Sequence, residues 1–231
     1  MRVKLRRFRE GSFHTEEYSL EDVEGLTVLE LLYRIREELD PSLSFRAMCR
    51  SSVCGTCTLK INGEHRLACN TRVEGEEILL EPPDVFPPLK DLVVSQDSIP
   101  ERLRKAKVWV VPGDREAGPA EVGRITRPRD CILCGVCDSV CPPLIEGKAF
   151  GGPLLFTRFY SVFDDPRDGR GEERLGDILP FNVQSCVHCG NCNLFCPKGC
   201  MPERWITLTE SRLLRGGYIS RKEEDFGFLG F

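Results

Sequence analysis

Apolar and charged positions alternate in short stretches along the N-terminal third of the chain, a pattern typical of half-exposed β-strands. Apolar and basic side chains alternate over residues 3–8, and a Gly-Ser turn leads into residues 13–20, which are predicted to return as a hairpin. Residues 58–68 predict a second hairpin around the Asn62-Gly63 turn. With a further strand over residues 78–81, this part of the chain is predicted to form a sheet.

One helix is predicted between the two hairpins. Thr27 and Glu30 form a capping-box pattern, in which each side chain accepts a hydrogen bond from the other residue's backbone N–H. Pro41 ends the helix, because proline cannot continue the backbone hydrogen-bond ladder. Apolar residues at helical spacing make one face that we expect to be core. That face consists of Val28, Leu31, Leu32, Ile35 and Leu39.

Composition narrows the class of protein. The 231 residues are 41% hydrophobic and 29% charged, which suits an ordinary core in one or two domains. A net charge of −4 without a clustered basic face argues against a nucleic-acid partner. We find no apolar run of about 18 residues that would predict a membrane span, and no signal-peptide stretch. Thirteen cysteines in such a chain predict thiolate ligands in a reducing, cytoplasmic compartment.

Two cysteine runs in the C-terminal half share the spacing C-x2-C-x2-C-x3-C-P. The first extends from Cys131 to Pro142 and the second from Cys186 to Pro197. Bacterial-type ferredoxins hold cubane clusters with this spacing, and the fourth cysteine of each run ligates the other cluster. The pattern therefore predicts one 4Fe–4S cluster on Cys131, Cys134, Cys137 and Cys196, and a second on Cys141, Cys186, Cys189 and Cys192.

A third set of cysteines lies in the N-terminal half. Cys49, Cys54 and Cys57 have the spacing C-x4-C-x2-C, and Cys69 follows after the second predicted hairpin. This is the plant-type ferredoxin spacing for a 2Fe–2S cluster. The small residues between the ligands suit a loop whose backbone N–H groups approach the sulfurs. Hairpin, helix, cluster loop and hairpin in this order predict a β-grasp ferredoxin domain.

Zinc is the alternative ligand for paired C-x2-C motifs, and it would make the chain a structural module. A zinc ion takes four thiolates and has no use for a third cysteine two residues further on. Both runs carry that third cysteine and the same Cys-Pro ending. The spacing therefore favours iron–sulfur clusters over zinc.

Several stretches of the chain resemble the iron–sulfur subunit of the succinate dehydrogenase/fumarate reductase family. The 2Fe–2S segment, a Lys-Asp-Leu-Val-Val motif and a Gly-Pro helix between the cysteine runs carry the resemblance together, whereas the Cys-Pro runs alone would indicate only a ferredoxin. The resembling stretches are residues 44–69, 90–94, 150–168 and 191–199.

The resemblance implies an α+β protein with a β-grasp 2Fe–2S domain over residues 1–100 and an α-helical two-cluster domain over residues 101–231. Local composition places the boundary within residues 97–106. The family member relays electrons between a FAD-containing catalytic subunit and a further redox or membrane-anchoring subunit. The chain has no FAD-binding GxGxxG motif, so substrate chemistry is expected on a different chain. The resemblance also implies a peripheral position on the inner face of the cell membrane.

The chain departs from the family pattern at Cys189. Most members carry another residue there, and the missing ligand leaves a 3Fe–4S cluster. Cys189 supplies the fourth ligand, so we predict a second 4Fe–4S cluster. The alternative is that Cys189 is a spare thiol and that this cluster is 3Fe–4S.

The family's quinone-site residues are also replaced. Val187 stands where quinone-reducing members carry histidine, and no tryptophan follows the first Cys-Pro pair. His188 is expected to donate a hydrogen bond near the cluster or to lie at the surface. Cys200 is the thirteenth cysteine, and a buried free thiol is favoured there over a cluster or interface role.

The sequence also predicts the exposure of several histidine and tryptophan side chains. His14 and His65 are predicted to be exposed strand residues, and Trp109 and Trp205 to be packed. The apolar tail over residues 226–231 is either frayed or docked on a partner subunit. Two functional alternatives stay open, a free-standing ferredoxin carrier and a subunit of a sister complex with a thiol/disulfide acceptor. The direction of succinate–fumarate interconversion is not fixed by the residues.

Overall fold

The alternating residues of the N-terminal third form a five-stranded sheet of order β2-β1-β5-β3-β4 in a computed structural model that describes residues 1–221. Its first and last strands in sequence, β1 and β5, pair in parallel, and the other pairs are antiparallel. Both predicted hairpins and the fifth strand are confirmed. The strands are β1 (Arg2–Arg9), β2 (Ser12–Ser19), β3 (Thr58–Ile61), β4 (Glu64–Leu67) and β5 (Glu77–Glu81).

Helix α1 (Val28–Arg34) covers this sheet and begins at the predicted capping box. The Thr27 hydroxyl accepts from the Glu30 N–H at 3.2 Å, and the Glu30 carboxylate accepts from the Thr27 N–H at 2.7 Å. The apolar face is buried except at Leu39, which is 49% exposed, so its placement in the core was wrong. The reason is a π-helical turn over Ile35–Leu39, which breaks the 3.6-residue period and rotates Leu39 away.

A buried charge network fixes the segment that leads into the first cysteine loop. Arg7 is fully buried and donates through Nε to Asp91 Oδ1 at 3.0 Å. Asp91 Oδ2 accepts from the Ser44 N–H at 2.8 Å. Arg7 also bonds to Asp40. Since buried charges are costly unless paired, this network ties β1 firmly to residues 40–44.

Helices dominate the rest of the described chain, after a two-stranded ribbon of β6 (Pro88–Lys90) and β7 (Val93–Val94). Two of these helices, α6 (Pro153–Phe163) and α9 (Pro202–Arg215), pack against each other around Phe156, Phe159 and Ile206. The helices are α2 (Ser98–Lys105), α3 (Pro119–Arg129), α4 (Val136–Ser139), α5 (Pro142–Ile145), α6 (Pro153–Phe163), α7 (Arg174–Ile178), α8 (Asn191–Leu194) and α9 (Pro202–Arg215). Helix α2 lies at the predicted domain boundary, and the limits of the two domains stay a prediction.

The predicted exposure was wrong for two side chains, His65 and Trp109. His65 is buried, at 5% exposure, because its strand β4 turns this side chain inward rather than to solvent. Trp109 is half-exposed and is not a core residue, whereas Trp205 is buried as expected. The apolar tail over residues 226–231 lies outside the described residues.

Candidate metal centre

The loop between α1 and β3 brings backbone N–H groups onto a thiol. Cys49 Sγ accepts from the N–H groups of Ser51, Val53 and Cys54 at 3.4, 3.4 and 3.3 Å. These donors, with Ser51 first, lower the pKa of the Cys49 thiol to about 6. The loop is therefore built to stabilise a thiolate, the form that ligates iron.

The other three cysteines of this set gather at the same loop. Cys69 follows β4, and its sulfur accepts from the Ser52 N–H at 3.3 Å. Cys57 is buried, and burial raises its thiol pKa to about 12, while neighbouring Cys69 and Cys54 add to the rise. Because the loop that carries Cys54 and Cys57 donates backbone N–H groups to the sulfurs of both Cys49 and Cys69, the structure brings all four predicted ligands of the 2Fe–2S cluster to one loop.

The four thiols predicted for the first cubane surround one cavity. It is lined by Cys131, Cys134, Cys137 and Cys196, with Cys200 beside them. Burial, with smaller contributions from the charges of Cys131 and Cys196, raises the pKa of Cys134 to about 12. Four thiolates gathered around one cavity would repel one another without compensating positive charge, and coordinated iron would supply that charge. The donor set therefore fits a cubane cluster.

A second cavity is lined by the other four thiols. Cys141, Cys186, Cys189 and Cys192 face it, together with prolines that begin α5 and α6. Burial raises the pKa of Cys192 to about 12, and the charges of the other three add to that rise. All four predicted ligands of the second cubane, including Cys189, are therefore close enough to interact.

The two cysteine runs have the same backbone conformation. Leu133 and His188, each before the second cysteine of its run, are left-handed with φ of 57° and 50°. Gly135 and Gly190, each after that cysteine, have φ of 76° and 77°. Cys189 therefore holds the same place in the second run as the second cysteine of the first run, where a cubane ligand is predicted.

The 2Fe–2S loop packs directly on the first cubane loop. A Cβ placed on Gly55 would lie 2.6 Å from the Ile132 carbonyl oxygen and 2.9 Å from Cys134 Cα. The Thr58 hydroxyl donates to the Cys134 carbonyl oxygen at 2.9 Å. Both contacts join a residue beside a 2Fe–2S ligand to a cubane ligand. The spacing of the cysteines does not predict this contact. The glycine between two ligands is the sequence signal that could have indicated a close approach there.

His188 lies at the surface and does not face the cavity of the second cubane set. Its Nδ1 is 2.9 Å from Glu203 Oε1, and its Nε2 is 3.5 Å from Glu210 Oε2. Its backbone N–H lies 3.4 Å from Cys186 Sγ and donates to it. The hydrogen bond to the ligand therefore comes from the backbone, and the imidazole is held by two carboxylates. The role of His188 stays a prediction.

Cys200 is buried against a ligand of the first set. Its backbone N–H donates to Cys196 Sγ at 3.3 Å, and its carbonyl oxygen accepts from Trp205 Nε1. Sequence reasoning placed Cys200 among free thiols without this contact. It also missed Asp138, a buried carboxylate directly after Cys137. The sequence signal that could have identified Asp138 is a charged residue between two cysteines of a cluster-binding run.

Within residues 1–221, every helix falls short of the length and the continuous apolar run that a membrane span requires. In the same range, no group of three or more cysteine, histidine or carboxylate side chains forms a site for a single metal ion. The cysteines are instead spread around the two cavities and the N-terminal loop.

Comparisons with known families identify both cysteine regions. The family model described as a 2Fe–2S iron–sulfur cluster binding domain matches residues 2–101. The model described as a 4Fe–4S dicluster domain matches residues 128–200. The chain therefore carries 2Fe–2S and 4Fe–4S clusters, and zinc is set aside. The predicted α+β fold with these two kinds of domain is confirmed.

Two curated relatives match most of the chain. A fumarate reductase (CoM/CoB) subunit from Methanothermobacter marburgensis is 34% identical over 85% of this chain, which spans only 40% of that relative's length. A mitochondrial succinate dehydrogenase [ubiquinone] iron–sulfur subunit from Oryza sativa subsp. japonica is 30% identical over 84% of this chain and 73% of its own length.

A solved structure shares the fold. A chain of the Mycobacterium smegmatis Sdh1 complex in the apo form superimposes with a TM-score of 0.86 at 24% identity. The match covers 94% of this chain and 97% of that one.

Proposed function

This chain belongs to the family of iron–sulfur subunits of succinate dehydrogenase and fumarate reductase, and from that premise we propose its place in an electron-transfer complex. It relays electrons between a FAD-containing subunit, where succinate and fumarate interconvert, and a further acceptor subunit. The contact of Gly55 and Thr58 with Cys134 carries this proposal, because it makes the cysteine sets one continuous series. The clusters supply one-electron carriers, and the protein supplies their ligands, spacing and hydrogen bonds.

We assign one cluster to each of the three sets of cysteines described above. Cys49, Cys54, Cys57 and Cys69 hold the 2Fe–2S cluster. The first 4Fe–4S cluster is held by Cys131, Cys134, Cys137 and Cys196, and the second by Cys141, Cys186, Cys189 and Cys192. The matching backbone of the two runs supports Cys189 as a true ligand. The chain should then bind roughly ten irons, one more than a chain with a 3Fe–4S cluster.

Electrons enter at the 2Fe–2S cluster beside the flavoprotein and leave from the Cys189 cluster. The difference in solvent exposure between the two cubane sets supports this order. Cys134 is buried beneath the β-grasp residues, whereas Cys189 is exposed beside Val187, which is itself 55% exposed. A surface cluster with an apolar neighbour suits contact with the next subunit in the complex.

The acceptor of these electrons is another protein-bound centre rather than a quinone held by this chain. A quinone pocket fixes its carbonyl groups with a few placed donors in an apolar cleft. Val187 offers no such donor, and Pro143 stands in the segment after Cys141. The His188 imidazole is already engaged by two carboxylates.

We place the chain in the cytoplasm, peripheral on the inner face of the cell membrane.

The test is anaerobic purification of the native complex through a tag on this chain, with iron, labile sulfide and flavin measured together. The proposal expects a flavin-bearing chain in fixed ratio and succinate or fumarate turnover. Purification of the chain alone, with its clusters intact and no flavin, would make it a free-standing carrier. Turnover that depends on a thiol/disulfide couple would identify the sister complex. The family relationship favours neither alternative.

A further inference from the structure

An ion pair with a buried carboxylate lies beside the ligands of both cubanes. Asp138 is only 1% exposed and directly follows the ligand Cys137. Its Oδ2 accepts from Arg102 Nη2 at 2.6 Å, and its Oδ1 accepts from the Leu154 N–H at 3.0 Å. Arg102 belongs to α2, which follows the β-grasp sequence, so the pair joins that helix to the cubane domain.

The buried carboxylate has two positive partners. Leu154 lies in the first turn of the eleven-residue helix α6, whose N-terminal end favours a negative charge. Arg102 contributes a full positive charge and also donates to the Gly151 carbonyl oxygen at 2.5 Å. A Cβ on Gly152 would lie 2.9 Å from Asp138 Oδ1, so glycine is what leaves room for this arrangement.

The negative end of the pair faces the sulfur of Cys137. Oδ1 of Asp138 is 4.0 Å from Cys137 Sγ, whereas Arg102 approaches the other oxygen. Cys141, a ligand assigned to the other cubane, donates its backbone N–H to the Asp138 carbonyl oxygen at 3.2 Å. Asp138 therefore lies beside ligands assigned to both cubanes.

We propose that Asp138 lowers the reduction potential of both cubanes and that Arg102 limits this effect, so that the pair sets the energy step between the 2Fe–2S cluster and the cubanes. Each cubane gains one negative charge when it accepts one electron, and no bond forms or breaks. A fixed carboxylate in a poorly screened interior opposes that added charge, and a nearby guanidinium favours it. The effect should be larger on the Cys137 cubane, because its ligand is in contact with the carboxylate.

The proposal rests on the ligand assignment above, and the two can fail separately. Iron content and EPR spectra of the unaltered complex test the assignment, whereas shifts in midpoint potential test the role of the pair. A cluster inventory that contradicts the assignment would be seen before any variant is made.

The experiment is an EPR-monitored redox titration of the purified holo-complex at one fixed pH. Asp138→Asn keeps an oxygen for the Leu154 N–H but removes the charge, so it should raise both cubane potentials. Arg102→Gln should lower both, and Arg102→Lys should restore them toward the unaltered values. Arg104→Gln makes the same charge change at an exposed position of α2 and should leave the potentials unchanged.

The opposite signs separate this role from a merely structural one. Both substitutions break the same ion pair, so lost stability would push both variants in one direction. Unshifted potentials, or shifts of the same sign in both variants, would overturn the proposal. If Asp138→Asn does not assemble its clusters, the Arg102→Gln and Arg102→Lys pair decides by itself, since an unchanged or raised potential in Arg102→Gln refutes the idea.

Discussion

Replacing Gly55 with alanine should damage the contact between the 2Fe–2S loop and the first cubane loop. Gly55 has φ of +70°, a conformation that costs a residue with a Cβ about 1–2 kcal/mol. The new Cβ would also lie 2.6 Å from the Ile132 carbonyl oxygen and 2.9 Å from both Cα and Cβ of Cys134. None of these atoms can rotate away, because two belong to the backbone and the third is the Cβ of a ligand. Such overpacking typically costs about 1–3 kcal/mol.

Gly63→Ala is the matched control for this variant. Gly63 has φ of +84°, but its Cβ would meet nothing within 4 Å. The control variant therefore has the free-energy cost of the left-handed backbone conformation but no steric clash. The difference between the two variants should be about 1–3 kcal/mol, which corresponds to a melting temperature about 2–12 °C lower for Gly55→Ala in a protein of this size.

The assay is thermal unfolding of the anaerobic holoprotein at one scan rate, followed by visible cluster absorbance and far-UV circular dichroism. A common scan rate is needed because loss of clusters makes unfolding irreversible. The magnetic coupling between the 2Fe–2S cluster and the first cubane should also weaken in Gly55→Ala, because the two loops must separate. Equal melting temperatures and equal coupling in Gly55→Ala and Gly63→Ala would refute the packing argument.

Three further predictions concern single side chains. Cys189→Ala should lose one iron and gain the EPR signal of an oxidised 3Fe–4S cluster, whereas Cys200→Ala should keep the full iron content; an unchanged inventory in Cys189→Ala would remove it as a ligand. His188→Ala should leave acceptor reduction largely intact, and a collapse of quinone-linked turnover with all clusters present would contradict this. Burial lowers the pKa of His65, so the unfolded state binds a proton more readily and stability should fall as pH drops below about 6.5. His65→Phe should weaken that pH dependence of the melting temperature, and His14→Phe at an exposed site should not; equal pH dependence in both variants would count against the argument.

The sequence by itself determined the features that depend on near neighbours in the chain. The Thr27–Glu30 capping box and the Asn62-Gly63 hairpin are set by residues that interact over a few positions, and both formed as predicted. Cysteine spacing likewise restricts which short loops can wrap a cluster, so the kinds of cluster could be predicted from spacing alone. The same local restriction gave the two cysteine runs matching backbone conformations.

Only the tertiary structure decided which of these local units meet. The contact of Gly55 with Cys134 joins residues 79 positions apart, and the Arg102–Asp138 pair joins a linking helix to a cluster loop. Such contacts depend on how sheet, helix and loops pack as whole bodies. Local spacing does not encode that packing, and the charges and distances on which the proposed electron transfer depends arise from it.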